Sequence, residues 1–283
     1  MTRLPDRIVS LTDFSESSNN AAMRAAELAL IMRRPMTLLH ISESTTLPSL
    51  ADSSLRNELM EEELQRKGEQ LQQVADELTH TYSNLAVSTR LIADPVFDTA
   101  IEMFLKEIPA CLLVLGKKHR STLERIFIGS NIKRLLRNGH FSVPLLLIPP
   151  KLDRFELKHM ILAVNLGEKL AEGSYSIIQK FVDVYGITLG IVYSYGKEQV
   201  TKTGAEALIK ENFPASLGDQ IQYINLVASK EDLPKNPHAT ESYTDIVVAF
   251  PARKGLFESL VKGSFSEFLA DNYENPLLLI PQA

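Results

Sequence analysis

The chain of 283 residues carries one cysteine, Cys111, and no tryptophan. A disulfide within the chain is thereby excluded. Cys111 lies inside the apolar run Cys111-Leu112-Leu113-Val114-Leu115, so a buried structural thiol is expected rather than a reactive one. No apolar stretch approaches the ~20 residues that a membrane-spanning helix needs, and Met1-Thr2-Arg3-Leu4-Pro5-Asp6 lacks the apolar core of a signal peptide, which makes the cytoplasm the expected location. Surplus positive charge is missing as well. The formal net charge of −5 argues against nucleic acid as the main partner, because binding a phosphate backbone needs an excess of Lys and Arg on one face. Six histidines are present, but no pair has metal-ligand spacing on a helix, and neither a Gly-x-Ser-x-Gly elbow nor a Walker-type Gly-Lys-Ser loop occurs. No enzymatic machinery is visible.

What is present is an ordinary globular composition, 45% hydrophobic and 23% charged, which excludes a disordered or fibrous class. The length suits about two domains. Internal repetition supports that number. Val143-Pro144-Leu145-Leu146-Leu147-Ile148-Pro149 recurs as Asn275-Pro276-Leu277-Leu278-Leu279-Ile280-Pro281, and Gly129-Ser130 recurs as Gly263-Ser264 at nearly the same offset. A duplicated unit follows, with one copy over 1–150 and the other over 151–283, joined at Pro149-Pro150-Lys151-Leu152-Asp153, where prolines stiffen the connection.

In the first copy short apolar runs alternate with longer amphipathic ones, the pattern of βαβ units around a parallel sheet. Strands are expected at Ile8–Leu11, Thr37–Ile41, Leu85–Ile92, Cys111–Leu115 and Leu145–Ile148, with helices over Asn19–Met32, Leu55–Leu78 and Asp94–Glu107. The last of these is expected to open on Asp94 as cap and Pro95 in the first turn. The second copy repeats the plan with strands at Met160–Val164, Ile187–Tyr193, Gln222–Val227, Ile246–Ala249 and Leu277–Ile280. Its third helix should be shortened or lost, since Ser229–Thr244 contains Pro234 and Pro237. The fold class is therefore α/β: two tandem open parallel sheets with helices on both faces.

Open parallel sheets bind ligands at the carboxyl ends of their strands, where the strand order reverses. That rule nominates the loop Thr12-Asp13-Phe14-Ser15-Glu16 and the loop Gly116-Lys117-Lys118-His119-Arg120-Ser121, which leads to Gly129-Ser130 at the next helix start. A strand ending in Asp, a fourth strand opening into a glycine loop, Gly-Ser after a fixed interval and a final Pro-Leu-Leu-Leu-Ile strand resemble the ATP-binding branch of the universal stress protein family, which has an adenine nucleotide alpha hydrolase-like fold. The resemblance covers essentially the whole chain, twice. It implies an ATP-like adenine nucleotide held by Asp13, the backbone at Ile41, Gly116, His119, Gly129, Ser130 and Asn131, with Mg²⁺ accompanying the phosphates. It also implies pairing of the two copies through their last strands, Leu145–Ile148 against Leu277–Ile280, as a covalent pseudo-dimer that leaves room for a homodimer and for protein partners.

One position departs from the family pattern: His119 stands where a second glycine is used, and glycine is used where the backbone bends with positive φ or approaches a phosphate closely. The imidazole would either block the nucleotide or, with Lys117, Lys118 and Arg120, bind its phosphates; the plainer reading of those cations is a solvated turn. Asp13 has a plainer reading too, as cap of a helix beginning near Phe14 with Glu16 completing a capping box, and both roles can coexist. His40, inside a strand, reads as a satisfied structural residue.

The second copy departs further. Asn165 answers to Asp13, Phe250 to Gly116 and Arg253 to His119; Gly263-Ser264 alone survives. Ser264-Phe265-Ser266-Glu267 forms a capping box that supplies its own carboxylate, whereas Lys133 and Arg134 follow Ser130, and cations at a helix start call for an outside anion. The expectation is a nucleotide-binding stress sensor or regulator with one site, in the first copy. The alternative is a tandem scaffold that binds no nucleotide and acts through protein–protein contacts. Slow ATP hydrolysis finds no nominated base or metal carboxylate beyond Asp13.

Overall fold

The computed structural model describes residues 7–43, 53–119, 126–127, 143–155, 157–164, 170–194, 202–227, 244–250 and 275–281. In the first half of the chain β1 (Arg7–Leu11), β2 (Met36–Ser42), β3 (Val87–Ala93), β4 (Ala110–Gly116) and β7 (Leu145–Ile148) enclose α1 (Glu16–Ile31), α2 (Ser53–Thr81) and α3 (Phe97–Glu107). A two-stranded ribbon, β5 (Lys118–His119) with β6 (Ile126–Phe127), follows β4. The second half contributes β8 (Leu157–Val164), α4 (Glu172–Tyr185), β9 (Thr188–Ser194), α5 (Lys202–Asn212), α6 (Ala215–Gly218), β10 (Ile221–Val227), β11 (Thr244–Ala249) and β12 (Leu277–Leu279).

Ten strands form one sheet in the order β10-β9-β8-β11-β12-β7-β4-β1-β2-β3. Every pairing is parallel except that of β12 with β7, which is antiparallel with Leu277, Leu278 and Leu279 opposite Leu147, Leu146 and Leu145. The expected partnership of the two Pro-Leu-Leu-Leu-Ile runs is therefore the seam of the sheet. Each would otherwise end a five-stranded sheet with a bare apolar edge, and pairing them covers both edges at once. The halves repeat one another in register: Ile8 lies opposite Leu112 as Met160 lies opposite Ile246, and Leu113 opposite Leu145 as Val247 lies opposite Leu277. Positions 13 and 165, and 116 and 250, are thus equivalent.

The apolar interior is divided by sheet face and not by half. One cluster runs from Ile8, Ala25 and Leu38 through Leu146 to Met160, Phe181 and Leu278. The other, on the opposite face, joins Val9, Leu113 and Leu147 to Ile161, Val247 and Leu279. A continuous sheet whose side chains alternate between faces yields one apolar cluster per face. Helix α1 reaches the sheet through Ala21, Ala22, Ala25, Ala26 and Ala29, all fully buried, whose small side chains allow close approach. Helix α3 covers the other face with Phe97, Ala100, Ile101 and Phe104 at helical spacing.

Two helix starts differ from expectation. Asp94 does not cap α3. Its Oδ1 accepts from the N–H of Val96 at 2.7 Å, an Asx-turn, and the helix begins at Phe97 with no side-chain cap. Helix α1 is capped by Ser15, whose Oγ accepts from the N–H of Ser18 at 3.3 Å, and not by Asp13. The segment expected to lose its helix in the second copy, 229–244, lies outside the described residues apart from Thr244, which opens β11.

Helix α1 also holds the connection between the halves. Asn20 Nδ2 donates to the carbonyls of Pro149 and Pro150, both at 3.2 Å, and Arg24, 3% exposed, donates to the carbonyl of Asp153. Arg24 pairs with Glu27 at 3.1 Å, while Glu27 accepts from the Tyr82 hydroxyl and from the N–H of Phe155, each at 3.2 Å. Burial raises the Glu27 carboxyl above its ordinary value, and Arg24 with these two hydrogen bonds opposes the rise.

Candidate functional site

The strand order reverses between β1 and β4, since β1 leads toward β2 on one side while β4 leads toward β7 on the other. The carboxyl ends of these two strands therefore flank a crevice of the kind that receives ligands in open α/β sheets. At the end of β1 the ladder continues for one bond, from the N–H of Thr12 to the carbonyl of Leu39 at 2.9 Å. The chain then turns sharply: Phe14 sits at φ 63°, left-handed backbone that few side chains adopt. A lattice of hydroxyls fixes the turn. Thr12 Oγ1 bonds Ser18 Oγ at 3.0 Å and accepts from the N–H of Phe14 at 3.0 Å, while Ser18 Oγ donates to the carbonyl of Ser15 at 2.9 Å.

This lattice places Asp13 at the protein surface, where its Oδ1 accepts from the N–H and the hydroxyl of Ser15. The carboxylate is oriented by the turn and the cap is left to Ser15, so the capping-box reading of Asp13 with Glu16 is corrected. Across the crevice Gly116 ends β4 against the first turn of α1. A Cβ on Gly116 would lie 2.4 Å from the carbonyl oxygen of Ser17. Glycine is therefore required here by the closeness of two backbones. Asp13 and Gly116 are thus brought to the same crevice, with Ile41 at the carboxyl end of β2, opposite Ile92 and partly exposed.

Beneath the turn His40 is 7% exposed, its ring tilted by 34° against that of Phe14 with centroids 4.4 Å apart. Its Nδ1 lies 2.8 Å from the carbonyl of Thr12, and a carbonyl only accepts, so Nδ1 carries the proton and Nε2 is an acceptor. Nε2 is buried and has no hydrogen-bond partner among the described residues, while Nδ1 gives His40 the structural role expected of it. Burial holds its imidazole below the ordinary histidine value, and the Lys67 ammonium adds to the effect. Lys67 in turn donates to Ser42 Oγ at 2.9 Å and pairs with Glu63 at 2.8 Å.

The loop after β4 differs from the solvated turn expected of its cations. Lys117 is 0% exposed, and its Nζ donates to the carbonyl of Asn275 at 3.2 Å, across the seam. It is part of the interior. His119 is in the β5–β6 ribbon, paired with Ile126, so its backbone is an extended strand and not the bend that a glycine would make. Gly129, Ser130 and Asn131 lie outside the described residues, as do Lys118 and His119 side chains, Arg120, Asn165, Arg253 and Gly263-Ser264. In the second half Phe250, equivalent to Gly116, is 9% exposed and belongs to the core. Among the described residues no group of three or more His, Cys, Asp or Glu side chains could hold a metal ion, and no helix is long and apolar enough to cross a membrane.

A family model for the universal stress protein family matches residues 5–149, just over half of the chain. The chain belongs to the universal stress protein family. Universal stress protein MJ0531 of Methanocaldococcus jannaschii is 27% identical over 148 residues, 51% of this chain and 84% of the relative. Among solved structures, a universal stress protein from Archaeoglobus fulgidus DSM 4304 aligns with a TM-score of 0.71 at 16% identity, covering 98% of each chain. A protein of unknown function from Pseudomonas aeruginosa PAO1 aligns at 0.55 and 18% identity, covering 98% of this chain and 93% of the other. At those identities the likeness is one of fold, and it extends over both halves.

The two halves of this universal stress protein share one strand order, β3-β2-β1-β4-β7 in the first and β10-β9-β8-β11-β12 in the second. Two parts of its architecture were not legible from the family pattern: the buried Lys117 and the clamp of α1 on residues 149–155. The only sequence signal for the second is the pairing of Arg24 with Glu27 inside an alanine stripe, where a charge has no reason to sit unless a partner meets it.

Proposed function

We propose that the chain is a stress-response sensor or regulator that binds one ATP-like adenine nucleotide in the crevice of its first half. Two domains, 1–150 and 151–283, divide the work, the second being a degenerate copy that serves as structural partner. The observation that carries this reading is the difference between equivalent positions: Gly116 lets the end of β4 close against the first turn of α1 beside the exposed Asp13, whereas a buried Phe250 occupies the same place in the second half. Asp13 would meet the adenosine portion with the backbone at Ile41, and Gly129, Ser130 and Asn131 would supply helix-start amides for the phosphates. Mg²⁺ would arrive bound to those phosphates. A cytoplasmic location fits a nucleotide sensor.

The extended backbone at His119 favours a second reading, a tandem scaffold that binds proteins and no nucleotide. Mass spectrometry of the purified, denatured protein for retained nucleotide, followed by calorimetric titration with ATP, separates the two. One site per chain is expected, lost in Asp13→Ala and in Gly129→Glu and unchanged in Asn165→Ala. Absence of binding at millimolar ATP would establish the scaffold, and an equal loss in Asn165→Ala would refute the one-site assignment.

A further inference from the structure

A cavity of about 260 Å³ opens at the end of the sheet remote from the Asp13–Gly116 crevice, between the two halves. The first half lines it with Met32, Leu112 and the Cys111 thiol at the start of β4, and α4 of the second half with Ile177, Phe181 and Val184. Its wall is therefore apolar and inherited from both halves. Three charged side chains complete the lining, Arg34, Lys180 and Asp183. Asp183 accepts from Gln179 at 2.8 Å, and the formal charges of Arg34, Lys180 and Asp183 sum to one positive charge in the lining of a chain whose total is −5.

The turn that brings Arg34 to the cavity is strained. Helix α1 ends at Met32 with Arg33 at φ 52°, and the N–H of Arg34 returns to the carbonyl of Ala29 at 2.8 Å. The corresponding position after α4 is Gly186, at φ 61°. Left-handed backbone is unfavourable for a non-glycine residue, and here that conformation brings Arg34 to the lining of the cavity.

We infer that this cavity is a second ligand site, for a small amphiphilic anion: a carboxylate with an apolar chain. An apolar cavity of ~150 Å³ admits benzene, so the present one accommodates on the order of ten non-hydrogen atoms, too few for a nucleotide and enough for an eight-carbon carboxylate. The chain lies against Leu112, Ile177 and Phe181, and the carboxylate meets Lys180 and Arg34. Because its walls come from both halves, occupancy ties α4 to the end of α1. Cys111, half-buried with its Sγ donating to the carbonyl of Arg7 at 3.2 Å, is a reporter in the wall and takes no part in binding.

Calorimetric titration of the full chain with octanoate tests this, with methyl octanoate as the uncharged control and the rate of Cys111 alkylation by a maleimide as a second readout. Octanoate is expected to bind with a dissociation constant of about 0.1–1 mM and to slow alkylation severalfold. Ile177→Trp, which fills the cavity, should abolish both effects. Lys180→Glu, at a partly exposed helix position, should weaken binding about fivefold or more, whether or not the tryptophan variant folds. No heat and no protection in the wild type would overturn the proposal. So would equal binding of methyl octanoate together with an unchanged affinity in Lys180→Glu, since the site would then be apolar only.

Discussion

Two glycine-to-alanine substitutions should move the stability of this protein in opposite directions. At Gly116 the new methyl carbon would lie 2.4 Å from the carbonyl oxygen of Ser17, and contacts below 3.0 Å are not tolerated, so α1 and the end of β4 must separate by at least about 0.6 Å. Neither is free to do so. Ser17 belongs to a first turn whose neighbours Ser15 and Ser18 are tied to Thr12 and Asp13, and β4 is paired on both sides, with β1 and β7. Overpacking of a rigid site costs about 1–3 kcal/mol. At Gly68, inside α2, the added carbon meets only Leu91 Cδ2 at 3.9 Å, and a glycine-to-alanine change in a helix interior gains about 0.5–1 kcal/mol. Urea denaturation followed by far-ultraviolet circular dichroism reads both. Gly116→Ala should lower the midpoint and Gly68→Ala raise it; a Gly116→Ala variant within about 0.5 kcal/mol of wild type would refute the claim that the crevice wall is a contact between two fixed backbones.

Arg33→Gly relieves the left-handed strain at the end of α1 and should stabilise the chain by roughly 0.5–1 kcal/mol in the same denaturation assay; a destabilised variant would mean that the arginine side chain holds the turn. For His40, burial lowers the folded-state value below the ordinary 6.5, so the unfolded chain takes up the proton first. The stability due to the neutral imidazole is complete above pH 6.5 and is lost as the pH falls through the lowered value. His40→Gln should therefore show a shallower loss of stability below pH 6.5 than wild type, and an identical acid slope would remove His40 from the acid limb.

The strands were legible because short continuous apolar runs, bounded by turn residues, fit strands buried on both faces of a doubly wound sheet. The seam was legible for a related reason: two copies of Pro-Leu-Leu-Leu-Ile each leave an apolar edge, and each is the other's best cover. Helix starts were less so, since Asp13 and Asp94 have the composition of caps and act instead as Asx-turn acceptors two residues ahead of the amide they bind. Local sequence does not distinguish these uses, because both place one carboxylate before a run of helical residues. At the site, Asp13 and Gly116 were placed together by topology alone, while the state of His40 depends on Thr12 and Phe14 meeting it from a neighbouring strand and turn.

Lys117 shows where composition misleads most. In Gly116-Lys117-Lys118-His119-Arg120 it has the appearance of one cation among several on a wet loop, yet its ammonium is withdrawn into the seam, toward a carbonyl 158 positions away. Its backbone N–H extends the β4–β7 ladder to the carbonyl of Ile148 at 2.8 Å while its ammonium reaches Asn275, immediately ahead of β12. One peptide step thus separates the wall of the crevice from the joint between the halves. An ammonium inside the protein is costly unless oxygen acceptors meet it, so the position of Asn275 is constrained by the end of β4.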